Sequence, residues 1–336
     1  MPKRRTAVVA FGGNALIKKD QEGTQWEQWE NARETAQALL PVLRHGSGLV
    51  VVHGNGPQVG NILIQVEEGI TKVPPISLDV CVAASEGSIG YMLEVALLNE
   101  LRREKIRRGV LTLVSEVVVD PEDPGFRRPT KPIGPFYPKF RAEDLMRKQG
   151  WNMIEDAGRG WRKVVPSPRP LEVLQIEAIR QAAARGHVVI AGGGGGVPVY
   201  RTPGGDLRGV EAVIDKDYTA ALIARRLRAD LFVILTGVEQ VSLDFGRPGE
   251  RPRATLSAGE AKGHQAAGQF PEGSMGPKIR AAVEFVEAGG REVLITSAPR
   301  LADAVRGRAG TRITRDADGR RRGPSRRAAA PARNAA

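Results

Sequence analysis

The sequence predicts a doubly wound α/β sandwich, in which helices cover both faces of a mainly parallel sheet. Short runs rich in Val, Ile and Leu alternate with longer helical stretches along the 336 residues. The runs do not alternate strictly between apolar and polar residues, which is typical of strands buried on both faces of a parallel sheet. The regular succession of strand and helix favours crossover connections between parallel strands.

The predicted strands and helices follow one another in order. Six apolar runs are predicted strands: 6–11, 48–52, 110–119, 187–191, 231–235 and 292–296. Five longer stretches are predicted helices: 27–44, 79–103, 171–185, 215–227 and 275–288. Pro41 lies inside the first predicted helix. It predicts a kink or an early end, because proline removes a backbone donor.

One segment, 120–168, breaks this alternation. It contains eight prolines, which predict that no regular element forms there. Aromatic residues such as Phe126, Tyr137 and Phe140 nevertheless argue against disorder. We therefore predict an ordered insertion, 120–168, that projects from the sheet edge.

The remaining domain boundaries follow from composition. Residues 6–314 are the predicted main domain, and 1–5 form a basic N-terminal extension. Residues 315–336 are rich in Arg and Ala and contain almost no larger apolar residue, so they predict a disordered tail.

The formal net charge of +12 is concentrated at the termini. Residues 306–336 hold ten arginines against two aspartates, and three more basic residues lie within 1–5. The stretch between them, 6–305, is nearly neutral, which excludes a globally basic surface. The tail keeps a nucleic-acid-binding protein open as an alternative, with salt-sensitive binding that truncation near residue 315 would abolish.

Cysteine and histidine usage excludes several kinds of site. Cys81 is the single cysteine, so the chain has neither an internal disulfide nor a cysteine metal cluster, and the four histidines form no metal-binding pair. No uninterrupted apolar run approaches the length of a membrane span, and the N-terminus lacks the features of a signal peptide. We therefore expect a cytoplasmic protein without a protein-held metal.

Glycine makes up about 12% of the chain, above the usual ~7%. Glycine-rich segments directly follow predicted strands at 12–14, 54–57, 192–196 and 236–237. Ligands of open α/β sheets bind beyond the carboxyl ends of the strands, and glycine lets backbone N–H groups approach an anion. The four loops predict one crevice for a phosphate-rich ligand. Each loop taken alone is equally compatible with a tight turn.

Familiar nucleotide-binding signatures are absent. Segment 273–278 has Pro before its Lys and Ile after it, so it is not a P-loop. The glycine run 192–196 does not satisfy G-x-G-x-x-G, and protein-kinase and serine-hydrolase motifs are missing. The phosphate-rich ligand must therefore be bound in another way.

Three lysines lie inside glycine, proline or acidic motifs: Lys131, Lys216 and Lys278. A compact ammonium group suits a transferring phosphoryl group, whose charge spreads over three oxygens. Asp215 and Asp217 flank Lys216 at a predicted helix start, where they could cap the helix or hold lysines in position. Taken singly, each lysine is also compatible with an exposed surface position.

Together these segments resemble the carbamate kinases of the amino acid kinase superfamily. The resemblance extends in order over about residues 6–314. Its motifs are Ala10–Leu16, His53–Gly60, Val119–Pro124, Pro129–Tyr137, Gly160–Pro168, Gly192–Gly195, Gly209–Asp217 and Gly273–Lys278. The proline-rich stretch separates carbamate kinases from other members of the superfamily.

The resemblance implies reversible phosphoryl transfer between carbamoyl phosphate and ADP, giving ATP and carbamate, with a role in arginine catabolism. It implies Mg²⁺ bound mainly through the nucleotide phosphates. It also implies an open three-layer αβα sandwich with a small protruding subdomain, assembled as a homodimer.

The resemblance further assigns roles to residues. Lys216, Asp217 and Lys278 would form the transfer centre, and Lys131 would reach the substrate from the protrusion. The substrate-binding residues would be Gly12, Gly13, Asn14, Gly54, Asn55, Gly193 and Gly194. The nucleotide-binding residues would be Asp215, Thr236, Gly237, Met275 and Gly276.

The chain departs from the family pattern at two positions near these motifs. Glu86 stands where relatives commonly have Gln, and Ser242 stands where they commonly have Tyr beside the nucleotide. Another acyl-phosphate-forming kinase of the same superfamily, acting on an amino-acid carboxylate, is the alternative enzyme. It would need a larger substrate pocket and would not need the 120–168 insertion.

Overall fold

The computed structural model describes residues 5–12, 16–18, 21–44, 48–156, 158 and 160–316. Its strands are β1 (Thr6–Phe11), β2 (Gly48–His53), β3 (Val110–Thr112), β4 (Glu116–Val119), β5 (Lys131–Tyr137), β6 (Met153–Glu155), β7 (Trp161–Val165), β8 (Pro170–Val173), β9 (Val188–Ile190), β10 (Val197–Arg201), β11 (Leu207–Gly209), β12 (Leu231–Leu235), β13 (Val241–Leu243), β14 (Arg251–Arg253), β15 (Thr255–Ser257), β16 (Glu292–Thr296) and β17 (Thr311–Thr314). Its helices are α1 (Gln25–Arg44), α2 (Gly56–Gly69), α3 (Leu78–Arg103), α4 (Lys139–Gln149), α5 (Ile176–Ala184), α6 (Lys216–Leu227), α7 (Ala258–Ala266), α8 (Met275–Glu287) and α9 (Leu301–Val305).

An eight-stranded sheet forms the centre of the molecule, with the strand order β15-β17-β16-β12-β1-β2-β9-β3. The central strand β1 pairs in parallel with both β2 and β12, so that Phe11 lies opposite His53 on one side and Leu235 on the other. The antiparallel pairing of β16 with β17 reverses direction near one edge. The carboxyl ends of β1, β2 and β12 therefore lie side by side.

Helices cover both faces of this sheet, which confirms the predicted αβα sandwich. Successive β1 residues point to opposite faces, as the period of two in a strand requires. Val8 and Ala10 pack in the core formed with α6 and α8, whereas Val9 and Phe11 pack in the core formed with α1 and α3. Every apolar position of the strand is thus buried, and this explains its continuous apolar sequence.

Two predicted elements differ from the structure. The run 110–119 is two strands in different sheets: β3 lies at the edge of the central sheet, and β4 belongs to a four-stranded sheet of order β11-β10-β4-β8. The first residues of the predicted helix 171–185 instead form β8, and α5 begins only at Ile176. Both errors arise because short apolar runs do not distinguish strand from helix or one sheet from another.

Two further differences concern helices. The sequence did not predict α2, which begins directly after the glycine-rich turn at the end of β2. Pro41 does not end α1 early, since the helix continues to Arg44. A proline so close to a helix end removes one hydrogen bond and leaves the preceding turns intact.

The proline-rich segment contains regular elements, contrary to the prediction. Residues 131–165 form a three-stranded sheet of order β5-β7-β6, with α4 in the connection between β5 and β6. Pro132 and Pro135 lie in β5, and the register with β7 shifts between Ile133 and Tyr137. Proline is tolerated because β5 is an edge strand, where its missing donor breaks no ladder on the open side. The boundaries 120–168 stay a prediction.

Among the described helices, α3 has the length and composition that would allow it to cross a membrane. More than half of its most apolar window is buried in the structure. Residues such as Ile89, Leu93 and Leu97 pack in the core on the α1 face of the sheet. A buried core helix satisfies the same criterion of length and composition.

Candidate active site

The first two glycine loops meet at the carboxyl ends of β1 and β2. The Gly54 N–H donates to the Phe11 carbonyl at 2.8 Å, which joins the end of β2 to the end of β1. Gly54 and Asn55 are buried, and Gly12 is half-buried beside them. Two other predicted substrate residues, Gly13 and Asn14, lie outside the described residues.

The glycine run 192–196 packs directly on the second loop. A Cβ atom at Gly193 would lie 2.3 Å from His53 Nε2, and one at Gly194 would lie 2.1 Å from Asn55 Nδ2. The φ angle of Gly194 is also +66°, which disfavours a side chain. Only glycine permits this approach, and it places four of the predicted substrate residues together: Gly54, Asn55, Gly193 and Gly194.

The same glycine run holds the start of α6. Thr219 Oγ1 donates to the Gly195 carbonyl at 2.7 Å. Asp215 is the N-cap, and its Oδ1 atom accepts the Asp217 N–H at 2.9 Å. Side-chain caps of this kind satisfy the free donors of a helix start. The sequence-predicted Asp215, Lys216 and Asp217 are therefore fastened beside the glycine loops.

Asp217 lies between the ammonium groups of two lysines. Its Oδ2 atom accepts a hydrogen bond from Lys216 Nζ at 3.2 Å and another from Lys278 Nζ at 3.2 Å. The exposed fractions of the Asp217, Lys216 and Lys278 side chains are 2%, 10% and 14%. Helices α6 and α8 pack against each other and supply these residues from their first turns. One buried carboxylate thus holds two positive charges in fixed positions.

Lys131 reaches the same cluster from the proline-rich segment. Its Nζ atom donates to Asp215 Oδ2 at 2.6 Å, and the exposed fractions of the two side chains are 22% and 14%. The segment is held against α2, because a Cβ at Gly60 would lie 2.0 Å from Gly134 Cα. The structure therefore brings together all four residues predicted to be catalytic.

Burial and neighbouring charges shift the pKa values of this cluster. Burial alone would raise the pKa of Asp215, but the charges of Lys131 and Lys216 lower it well below its usual range. Burial would lower the pKa of Lys216, and the adjacent carboxylates Asp217 and Asp215 raise it instead. Burial lowers the pKa of Lys278, with Lys216 adding to the effect and Asp217 opposing it. Asp215 and Lys216 therefore carry full charges at neutral pH.

A second group of buried side chains supports the glycine loop, and sequence reasoning missed its role. Glu86 Oε2 accepts the Ser115 N–H at 2.9 Å, and Ser115 Oγ accepts the Gly192 N–H at 2.9 Å. Glu86 is only 1% exposed. Burial raises its pKa well above the usual value, against the hydrogen bonds from Ser115 and Gly193. The one signal of this role in the sequence was that Glu86 stands where relatives commonly have Gln.

The predicted nucleotide residues lie at the same edge of the sheet. Thr236 and Gly237 follow β12, and the Thr236 N–H donates to the Thr296 carbonyl at 2.8 Å. Met275 and Gly276 belong to the first turn of α8, which also carries Lys278. Among the described residues, no hydrogen bond or ion pair joins Thr236 or Gly237 to the lysine cluster. Their assignment to the nucleotide stays a prediction.

The described residues contain no group of three or more His, Cys, Asp or Glu side chains that could hold a metal ion. The carboxylates at the site, Asp215 and Asp217, are each engaged by lysine ammonium groups. These carboxylates are therefore occupied by lysines, and Mg²⁺ bound through nucleotide phosphates stays a prediction.

Comparison with known proteins identifies relatives over nearly the whole chain. The model of the amino acid kinase family matches residues 5–297. The carbamate kinase of Thermococcus kodakarensis is 43% identical over 93% of this chain and 100% of its own length. Carbamate kinase 1 of Enterococcus faecium is 44% identical over 88% of this chain and 94% of its own length.

A solved structure agrees with these sequence relatives. Carbamate kinase from Giardia lamblia bound to AMP-PNP has a TM-score of 0.85 and 39% identity, covering 94% of this chain and 100% of that one. The family model, the sequence relatives and this structure all point to the same family. The chain is therefore a kinase of the amino acid kinase family and belongs, within that family, to the carbamate kinases.

Proposed function

We propose that this protein transfers a phosphoryl group reversibly between carbamoyl phosphate and ADP, giving ATP and carbamate. The observation that carries the proposal is that one buried carboxylate, Asp217, holds both Lys216 Nζ and Lys278 Nζ at 3.2 Å. Two ammonium groups beside a glycine-rich anion site suit a phosphoryl group in transfer. The names of the relatives, all carbamate kinases, support the choice of substrate.

In the direction of ATP formation, a terminal phosphate oxygen of ADP attacks the phosphorus of carbamoyl phosphate. The bond between that phosphorus and the carbamate oxygen breaks, and carbamate leaves with the electron pair. No proton has to be moved and no nucleophilic side chain is needed. The catalytic contribution is therefore positioning and electrostatic stabilisation.

We assign the charge stabilisation to Lys216 and Lys278. Their ammonium groups would contact the oxygens of the transferring phosphoryl group, where negative charge is spread in the transition state. Asp217 orients both lysines, since it lies between them and is itself nearly inaccessible at 2% exposure. Because their positions are set before the substrate arrives, little reorganisation is needed during the reaction.

We assign carbamoyl phosphate to the crevice formed by the two contacting glycine loops. Carbamate is a small anion without a side chain, so the backbone N–H of Gly194 and the amide of Asn55 are the donors we assign to it. Gly54 and Gly193 would line the crevice, since their own N–H groups bond to Phe11 and Glu86. Lys131 would close this crevice from the proline-rich segment, with its ammonium group anchored to Asp215. We expect Gly12, Gly13 and Asn14 to complete the site.

Mg²⁺ would be carried mainly by the nucleotide phosphates, where it neutralises charge that the lysines do not reach. We assign the nucleotide itself to Asp215, Thr236, Gly237, Met275 and Gly276. The Giardia carbamate kinase bound to AMP-PNP supports an adenine nucleotide as the second substrate.

A coupled assay tests the proposal by measuring ATP formed from carbamoyl phosphate and MgADP. We expect turnover by the wild-type chain and its near-complete loss in Lys278→Ala. The same enzyme should consume little ATP with acetylglutamate, the substrate type of the alternative kinases. ATP consumption with acetylglutamate and none with carbamate would overturn the assignment.

We also propose a homodimer, in the cytoplasm, that works in the direction of ATP formation during arginine catabolism. The exposed face of α3 supports association, because Val80, Tyr91 and Leu98 are 44%, 59% and 41% exposed, and Trp26 nearby is 80% exposed. Apolar side chains gathered on one face are typical of interfaces. Light scattering after size-exclusion chromatography measures the mass, and a Tyr91→Glu variant should shift it towards the monomer.

A further inference from the structure

A large cavity lies at the amino ends of the central strands, on the edge of the sheet away from the lysine cluster. Its volume is about 780 Å³, within the range of sites for small ligands. The walls include the first residues of β1, β12 and β16. Strand β1 separates this edge from Gly12 by six residues, which corresponds to about 20 Å. The cavity is therefore distinct from the site proposed for phosphoryl transfer.

The cavity is strongly positive. Its lining contains six arginines: Arg5, Arg225, Arg228, Arg291, Arg306 and Arg312. Only two carboxylates, Asp230 and Glu292, line it as well, which leaves a net of four positive charges. Glu292 is engaged by Arg312 at 2.6 Å, and Asp230 accepts the Thr6 backbone N–H at 2.8 Å. Glu292 is thus paired with Arg312, and Asp230 is the one other negative charge in the lining against the five remaining arginines.

Four of these arginines have no protein partner for their side chains. Within the described ranges, no hydrogen bond or ion pair involves the guanidinium groups of Arg5, Arg225, Arg228 or Arg291. Some exposed arginines elsewhere pair with glutamates, as Arg180 and Arg201 do, and others, such as Arg102 and Arg185, have no partner among the described residues. The unpaired groups converge on one concavity instead of being spread over a face.

Helix ends account for part of this charge but not for all of it. Helices α6 and α8 end at the cavity, and basic side chains near a helix carboxyl end balance its partial negative charge. Each end corresponds to about half an elementary charge. Two such ends offset about one of the four excess charges, and about three are left for a ligand.

The backbone of Arg228 is unusual for an arginine. It is the C-cap of α6 with φ of 50° and ψ of 52°, a left-handed conformation that helix ends usually give to glycine. Its Cβ makes this conformation unfavourable, which Lys105 and Asp244 share among the described residues. Arg228 is the one of the three that lines the cavity.

We propose that this cavity binds a small anion that bears several phosphate groups. Guanidinium groups match phosphate in a bidentate geometry, and several of them can engage a chain of phosphates. The apolar part of the lining, which includes Leu231 and Phe285, accommodates an organic group attached to such a chain. A nucleoside triphosphate and inorganic polyphosphate share this chemistry.

Equilibrium dialysis with inorganic tripolyphosphate tests the proposal. The test variant is Arg228→Gly/Arg291→Gln, and the matched control is Arg102→Gln/Arg185→Gln, which changes two exposed arginines at the carboxyl ends of other helices. We expect the test variant to bind about a hundredfold more weakly and the control to bind like the wild type, because each charged contact is worth about tenfold or more. ATP formation from carbamoyl phosphate should be unchanged in both.

Two further binding measurements distinguish the possible outcomes. Lys278→Ala should retain tripolyphosphate binding, which excludes the catalytic cluster as its source. A nucleoside triphosphate that binds the same arginines more tightly than tripolyphosphate identifies a nucleotide, and equal or weaker binding identifies polyphosphate.

Equal binding by the wild type and by Arg228→Gly/Arg291→Gln would overturn the proposal. So would binding that disappears in Lys278→Ala. Binding of an oligonucleotide, but not of tripolyphosphate, through Arg228 and Arg291 would replace it with a nucleic-acid surface. Thermal unfolding of each variant confirms that it is folded.

Discussion

The two edges of the central sheet both concentrate positive charge, but they hold it differently. At the carboxyl edge, Lys131, Lys216 and Lys278 are largely buried and each contacts an aspartate. At the amino edge, Arg228 and Arg291 are exposed and contact no carboxylate among the described residues. Helices α6 and α8 connect the edges, since both begin at the lysine cluster and end at the arginine cavity.

The difference shows how burial decides what a cation needs. A buried ammonium group loses its hydration and requires a carboxylate to stay charged, so the lysines come with Asp215 and Asp217. An exposed guanidinium keeps its water and needs no partner. Substitutions at the carboxyl edge should therefore change both catalysis and folding more than substitutions at the amino edge, and the following predictions test that contrast.

The largest effect is expected from the paired lysines. Lys216→Ala or Lys278→Ala should each lower kcat by about 10²–10³, the usual loss for one transition-state donor. The coupled ATP assay measures this, with Lys72→Ala as an exposed control. Near-normal turnover in either variant would contradict the role that we assign to these two lysines.

A methyl group at Gly194 should disturb the crevice between the glycine loops. Gly194→Ala places its Cβ 2.1 Å from Asn55 Nδ2 at a φ of +66°, so we expect a loss of about 1–3 kcal/mol in stability and a lower kcat/KM. Gly205→Ala is the matched control, because Gly205 also has a positive φ of +92° but nothing lies within 4 Å of its Cβ. If both variants keep full activity, the contact between the loops does not shape the substrate site.

Glu86 predicts a pH-dependent stability. Because the pKa of Glu86 is raised, the fold favours its neutral carboxyl. Its contribution to the free energy of unfolding is therefore complete below the usual pKa and is lost as the pH rises. The side chain of the Glu86→Gln variant is neutral at every pH. The stability of this variant relative to the wild type should therefore increase by up to about 1.4 kcal/mol per pH unit above pH ~5. Thermal unfolding from pH 5 to 9 measures the difference, with the exposed Glu68→Gln as control.

Two other titratable groups act near Glu86. Burial lowers the pKa of His53 to about 4, so this histidine stays neutral over the tested range. The charge of Glu116 adds to the raised pKa of Glu86. A pH-independent difference between Glu86→Gln and the wild type would show that the buried carboxyl is not neutral in the fold.

The smallest effect is expected at the arginine edge. Arg228→Gly should raise stability by about 0.5–1 kcal/mol, because glycine adopts the left-handed conformation without strain. Arg185→Gly is the opposite control: the C-cap of α5 has φ of −74°, so glycine there should lower stability. Chemical denaturation measures both. A destabilised Arg228→Gly would mean that this side chain serves the fold itself.

The sequence predicted much of the sheet because β1, β12 and β16 are buried on both faces and are therefore apolar over most of their length. It failed where proline or short apolar runs had to be interpreted without context. Pro132 is compatible with β5 only because that strand lies at a sheet edge. Likewise, 110–119 divides between two sheets for reasons that no local pattern contains.

The candidate site, too, could be predicted from the sequence only in part. The glycine loops and the lysine motifs were visible as local residue types, and the family resemblance named their roles. The support from Glu86 through Ser115 to Gly192 was not visible, since those residues are separated in the chain and have ordinary neighbours. Gly13, Asn14 and the tail 317–336 lie outside the described residues.

The sequence by itself determined most strands of the central sheet and which residue types stand at their ends, because strand burial, capping and glycine turns depend on near neighbours. Only the tertiary structure decided which charged residues pair with one another. Lys131 meets Asp215 across 84 positions, and Lys278 meets Asp217 across 61. It also left Arg228 and Arg291, at the opposite edge, without a carboxylate partner among the described residues. Pairings over such separations depend on how sheet and helices pack, and no local pattern of residues specifies that packing.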